Sequence, residues 1–108
     1  MDFSHYQRET IKTAIYPREH AVVYPALGLA GEAGEVAGKV KKALRDEDGT
    51  FSDDRKNAIR LELGDVLWYV AQVASDLGLE LEDIAAANLL KLAGRQGRGA
   101  LGGDGDYR

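Results

Sequence analysis

Apolar residues recur along this chain at helical spacing, in four stretches. In the first, residues 3–16, Phe3, Tyr6, Thr10, Ile11 and Ala14 fall near one face and Pro17 ends the pattern. Ser4 is placed to cap its start. The second, residues 26–45, is led in by Tyr24-Pro25 and carries one stripe: Leu29, Ala33, Val36, Ala37, Val40 and Leu44. The third and longest, residues 53–77, repeats the arrangement with Ile59, Leu63, Val66, Leu67, Val70, Ala74 and Leu77. Ser52 or Asp53 suits its N-cap, and Gly78 suits its close. The fourth, residues 82–96, has Ile84, Ala87, Leu89, Leu90 and Leu92. Gly49 fits a left-handed turn position between the second and third stretches. With only two prolines and short β-branched runs, the pattern predicts an all-α fold, a four-helix bundle spanning residues 1–98 as one domain. The Gly-rich remainder, residues 99–108, has little capacity for helix or strand and is expected to be a flexible tail. It is either a frayed end or a flap that orders over a ligand.

The polar positions beside the stripes carry the candidate chemistry. Glu32 and Glu35 flank the second stripe, with Lys39 one turn further on. Glu62, Asp65 and Tyr69 hold the matching offset on the third. An i, i+3 spacing puts both carboxylates of a pair on one face, one turn apart. If the two helices pack antiparallel, the pairs meet in one cleft. Two such charges about 4 Å apart repel by roughly 4 kcal/mol at an effective dielectric near 20. Hard oxygen ligands gathered in this way call for Mg²⁺ or Mn²⁺ as counter-charge. Lys39 sits four residues after Glu35, a spacing that suits an intrahelical ion pair.

Other features bear less directly on a site. The second stretch holds Gly28, Gly31, Gly34 and Gly38, each costing a helix about 1 kcal/mol relative to Ala, which suggests close approach by a neighbouring helix or a ligand. Asn88, Lys91, Arg95 and Arg98 share a face of the fourth stretch. Cations there suit either a helix C-terminus or a phosphate-binding face. Trp68 reads as packing, and His5 and His20 as surface residues outside any ligand cluster.

Composition narrows the field. A chain of 108 residues holds one domain with a modest core, so self-association is expected. A net charge of −4 argues against a nucleic-acid partner held by bulk electrostatics. Cysteine is absent, which removes thiolate metal sites and Cys nucleophiles. The first residues lack a signal-peptide pattern and no apolar run would span a bilayer, so a cytoplasmic protein without a membrane partner is expected. There is no G-x-x-x-x-G-K-[ST] loop, no Glu-x-x-His and no Ser/His/Asp set. Acidic metal binding beside basic residues remains, the combination that phosphoryl chemistry needs.

Gly28-Leu29-Ala30-Gly31-Glu32-Ala33-Gly34-Glu35-Val36, then Glu62-Leu63-Gly64-Asp65-Val66-Leu67-Trp68-Tyr69, resembles the two-part signature of the MazG-like all-α nucleoside triphosphate pyrophosphohydrolases. That signature is Glu-Glu-x-x-Glu, a variable gap, then Glu-x-x-Asp; here 26 residues separate Glu35 from Glu62. The resemblance covers about residues 24–100. One position departs: Gly31 stands where the family's first Glu would be. The resemblance implies Mg²⁺-dependent hydrolysis of a nucleoside triphosphate to monophosphate and pyrophosphate, by a homodimer or homotetramer. It assigns Glu32, Glu35, Glu62 and Asp65 to metal, with Glu35 also preferred as the catalytic base. Lys39, Tyr69, Asn88, Lys91 and Arg95 become candidate substrate-binding residues. Two alternatives stand beside this: a dedicated dUTP or dCTP pyrophosphatase on the same scaffold, and a non-catalytic helical oligomerisation or regulatory module.

Overall fold

The computed structural model describes all 108 residues and is all-α. Its helices are α1 (Phe3–Ile11), α2 (Val23–Asp46), α3 (Asp53–Asp76) and α4 (Leu81–Gly97), with a single 3₁₀ turn at Arg18–His20. α2 and α3, 24 residues each, form a helical hairpin that makes the main interface of the chain. Its loop turns through Asp48 and Gly49, both at positive φ. Arg55 closes the hairpin on Glu47 at 3.0 Å. Ser52 is the N-cap of α3, its hydroxyl accepting from the Arg55 N–H at 3.1 Å. Gly78, at φ +70, ends α3 as its position foretold.

α1 is shorter than the apolar pattern suggests, and its cap differs. Asp2, not Ser4, accepts the His5 N–H at 2.7 Å, leaving Ser4 inside the first turn. The helix stops at Ile11, before Ala14 and Tyr16. The chain tightens there, with the Thr13 and Ala14 N–H groups reaching back three residues instead of four. The Thr13 hydroxyl donates to the Thr10 carbonyl and accepts from the Trp68 indole at 2.8 Å. The residues beyond are drawn to α3. Tyr16 Oη, Arg18 Nη1 and the Val22 N–H all donate to the Asp76 carboxylate, at 2.7, 2.8 and 2.9 Å. Val22 sits at φ +68, a conformation that strains a β-branched residue. Asp76 holds it there, and so fixes where α2 begins. α2 starts three residues earlier than the pattern indicates, at Val23, because Pro25 falls in its first turn, where no N–H is needed.

Gln7 joins the other ends. Its amide donates to Ser75 Oγ at 3.0 Å and to the Leu79 carbonyl at 2.9 Å, and its carbonyl accepts from the Leu81 N–H at 2.8 Å. One buried glutamine therefore ties α1 to the end of α3 and the start of α4.

The apolar stripes are only partly covered. Ala43, Ala71, Ala74 and Leu81 are buried, yet Leu44 is 65% exposed and Leu63 53%. In the single chain α2 and α3 cover each other along one edge and leave the rest of the two stripes open. The radius of gyration, 16.7 Å, exceeds the roughly 13 Å of a compact domain this size. The accessible surface is 7562 Å², against about 5,900 Å² for a compact monomer of this mass.

Candidate metal centre

Cross-helix neighbours of the hairpin run in opposite directions: Glu47 with Arg55, Lys39 with Glu62, Gly28 with Tyr69. This antiparallel register carries the flank of α2 onto the flank of α3. Oxygens of Glu32, Glu62 and Asp65 come to lie within 4.8 Å of one another. The convergence anticipated from the matched offset is thus present for three of the four acids. Glu35 is exposed, one turn along α2, and is not part of this group.

The acids perturb one another. A hydrogen bond between Glu32 and Glu62, then burial, then the charges of Asp65, Glu62 and Glu35, hold the Glu32 carboxyl above the usual range. Lys39 approaches Glu62 at 3.6 Å, both side chains three-quarters or more covered. The intrahelical pair with Glu35 is not what forms; the hairpin register brings Lys39 opposite Glu62 instead. Lys39 offsets part of the acidic charge and leaves an excess for a divalent ion. All the donors are carboxylate oxygens, which suits Mg²⁺ or Mn²⁺ and does not suit a soft metal.

Tyr69 stands beside this group, and Gly28 makes room for it. A Cβ at position 28 would lie 2.2 Å from the Tyr69 ring. Close approach therefore explains Gly28, whereas Gly31, Gly34 and Gly38 face nothing within 4 Å in this chain. Burial foremost, and Tyr24 next, push the Tyr69 hydroxyl above its usual range. The Trp68 ring meets Tyr69 edge-on at 5.0 Å, a packing role. Tyr24 stacks on Tyr16 at 4.9 Å, and Arg18 lies 4.6 Å over Tyr16. An aromatic path thus runs from the Asp76 linker toward the acids. On the other flank Tyr6 of α1 feels Asp65: burial first and that charge second raise its pKa. Tyr6 also lines an apolar cavity of about 310 Å³ with Met1, Asp2, Phe3 and Leu67. Neither Tyr6 nor Tyr24 carried a signal in the sequence, since each reaches the centre through tertiary packing and not through motif spacing.

Asn88, Lys91 and Arg95 all lie on α4. Asn88 is exposed, as are His5 and His20. Lys91 and Arg95 both contact Asp106 of the tail, at 3.2 Å each. No helix is long and apolar enough to cross a membrane.

An antiparallel helical pair with an oxygen-only carboxylate cluster, in an all-α chain, defines the class of protein. The model of the MazG nucleotide pyrophosphohydrolase domain matches residues 25–99, and the chain belongs to that family. The chain is also 45% identical to the Gene 37 protein of Mycobacterium phage L5, over 95% of its own length and 96% of that protein's. No solved structure matches.

Proposed function

We propose that the protein is a cytoplasmic, Mg²⁺-dependent nucleoside triphosphate pyrophosphohydrolase that returns a monophosphate and pyrophosphate and serves nucleotide-pool housekeeping. The observation that carries this is the convergence of Glu32, Glu62 and Asp65 within 4.8 Å in a chain of this family. Those three residues would hold the divalent ion. When bound, the ion supplies positive charge to the phosphate oxygens and acidity to water. Glu35 lies one turn from Glu32 and stays exposed, so its carboxylate is free to accept the proton of the attacking water. Lys39 orients Glu62 from 3.6 Å and stands ready to meet phosphate. Tyr69, fixed by the Gly28 notch, lines the pocket beside the acids. Asn88, Lys91 and Arg95 supply donors and positive charge for the departing pyrophosphate.

The active form is a homodimer or homotetramer. Surface beyond that of a compact monomer amounts to about 1,700 Å², about twice what one partner contributes to a standard interface. Leu27, Leu44, Leu61 and Leu63 are among the apolar residues left open on the hairpin, where a second copy would cover them.

The deciding experiment measures pyrophosphate release from each common ribo- and deoxyribonucleoside triphosphate, with Mg²⁺ and with EDTA. Metal-dependent release that Asp65→Asn and Glu35→Gln each abolish, with helical circular dichroism unchanged, is expected. Absence of release from every substrate at any metal concentration would favour a non-catalytic oligomerisation module.

A further inference from the structure

The cationic face of α4 is already engaged, and by the chain's own tail. The sequence leaves residues 99–108 as a frayed end or a closing flap. In the structure the tail folds back along α4. Asp106 brings its carboxylate to 3.2 Å from Lys91 Nζ and 3.2 Å from Arg95 Nη2. Arg95 also donates to the main-chain oxygens of Asp106, at 2.8 Å, and Gly105, at 3.4 Å. Arg98 Nη2 reaches a main-chain oxygen of Arg108 at 2.9 Å. Beside these contacts lies a cavity of about 360 Å³, lined by Lys91, Arg95, Arg98, Asp106, Tyr107 and Arg108.

Two features mark this as an anion site and not as an ordinary surface pair. Arg95 is 4% exposed, so its guanidinium has given up water, yet its Nε has no partner. A buried guanidinium normally fills its fork with a bidentate acid or phosphate. Here one nitrogen, Nη2, makes all the bonds of the group to the tail. Asp106, by contrast, is 76% exposed and sits in a tail that holds Gly99, Gly102, Gly103 and Gly105. An exposed carboxylate thus sits on a buried guanidinium.

We infer that Asp106 is an internal stand-in for phosphate, and that a polyphosphate ligand binds Lys91 and Arg95 by displacing the tail. This rests on the proposed function for its physiological ligand, a nucleoside triphosphate or its pyrophosphate product. The geometry itself concerns only a polyphosphate anion. A polyphosphate offers several charged oxygens where Asp106 offers one carboxylate, so it can also satisfy the Arg95 Nε. The tail then acts as a latch that opens on binding, the reverse of a flap that closes.

The test uses the full-length protein in EDTA and inorganic tripolyphosphate as probe, so that neither turnover nor the acidic centre contributes. Calorimetric titration should show Asp106→Asn binding tripolyphosphate about three- to tenfold more tightly than the parent, the scale of two partly exposed ion pairs. Asp104→Asn removes the same charge from a residue that bonds only the Gly105 N–H, and should leave affinity unchanged. Lys91→Gln should weaken binding. Amide hydrogen exchange in residues 99–108 should speed up when tripolyphosphate is added. Equal affinity for the parent and Asp106→Asn, an equal gain from Asp104→Asn, or slower exchange in the tail would each overturn the latch. Displacement of the tail in a protein that hydrolyses no nucleotide would leave the latch standing and remove the proposed function; turnover without displacement would do the reverse.

Discussion

Replacing Glu62 by Gln should stabilise the metal-free protein and destabilise the metal-loaded one. Glu62 faces Glu32 and Asp65, with oxygens of all three within 4.8 Å. At that separation and an effective dielectric near 20, each pair repels by about 3.5 kcal/mol. Lys39, at 3.6 Å, returns about 4.6 kcal/mol on the same scale. The balance at Glu62 is therefore about 2 kcal/mol unfavourable before solvent screens it. Asp65 is exposed and Glu62 partly so, which reduces the net figure to about 1 kcal/mol. The neutral amide keeps the shape and brings an N–H donor to Glu32 where the carboxylate could only accept. In EDTA the variant should melt about 5 °C higher than the parent.

Saturating Mg²⁺ reverses the order. A ligand at a hundred times its Kd adds about 2.7 kcal/mol to the folded state. The parent gains this in full, whereas the variant has lost one of three carboxylate donors and gains little. Differential scanning calorimetry of both proteins, with EDTA and with Mg²⁺, reads the two signs in one experiment. A variant that melts lower in EDTA would show that Glu62 is held by structural bonds and not merely tolerated among like charges. An unchanged Mg²⁺-induced shift would show that the acids do not form the metal site.

Other outcomes follow from single contacts. Gly28→Ala gains up to about 1 kcal/mol of helix propensity but drives a methyl into the Tyr69 ring, so KM for nucleotide should rise while the Mg²⁺-induced melting shift stays as in the parent. Asp76→Ala removes the common acceptor of Tyr16, Arg18 and the Val22 N–H and should cost about 3 kcal/mol in urea unfolding, with metal affinity unaffected. Burial raises the Asp76 pKa, but the Val22, Arg18 and Tyr16 bonds outweigh it and hold the group below the usual carboxylate range. Its contribution is therefore present above the unfolded pKa and lost as pH falls through the lower folded one, so Asp76→Asn should flatten that part of the acid-unfolding curve. Leu44→Arg places a charge on an open apolar residue of the hairpin and should shift sedimentation toward the monomer.

Periodicity located the helices because a helix face is a local property. α3 agrees to within one residue, and the convergence of Glu32 with Glu62 and Asp65 follows from matched offsets on two antiparallel rods. Features that depend on register or on one distant bond were not legible. The partner of Lys39 is chosen by the relative sliding of α2 and α3, which no i, i+4 rule contains. The end of α1 is set by Trp68 and Asp76, more than fifty residues away. Gln7 reads as an ordinary polar residue of α1, yet its amide serves three elements at once. In the tail, glycine content indicates low cost of motion and does not reveal that Asp106 finds cations.

The stripes expose a further limit of pattern. A hydrophobic face states that something will cover it, not what. Leu63 belongs to the same periodic set as the buried Ala74, and only packing separates them. Gly31, Gly34 and Gly38 extend the point: each carries the helix penalty of glycine, yet a Cβ there would meet nothing from the rest of the chain within 4 Å. Close approach would repay that penalty only if the approaching surface belongs to another molecule. The open Leu44 and the unmet glycines lie on α2, the helix that also presents Glu32. A second copy seated on α2 would therefore also exclude water beside Glu32 and strengthen every charge interaction there.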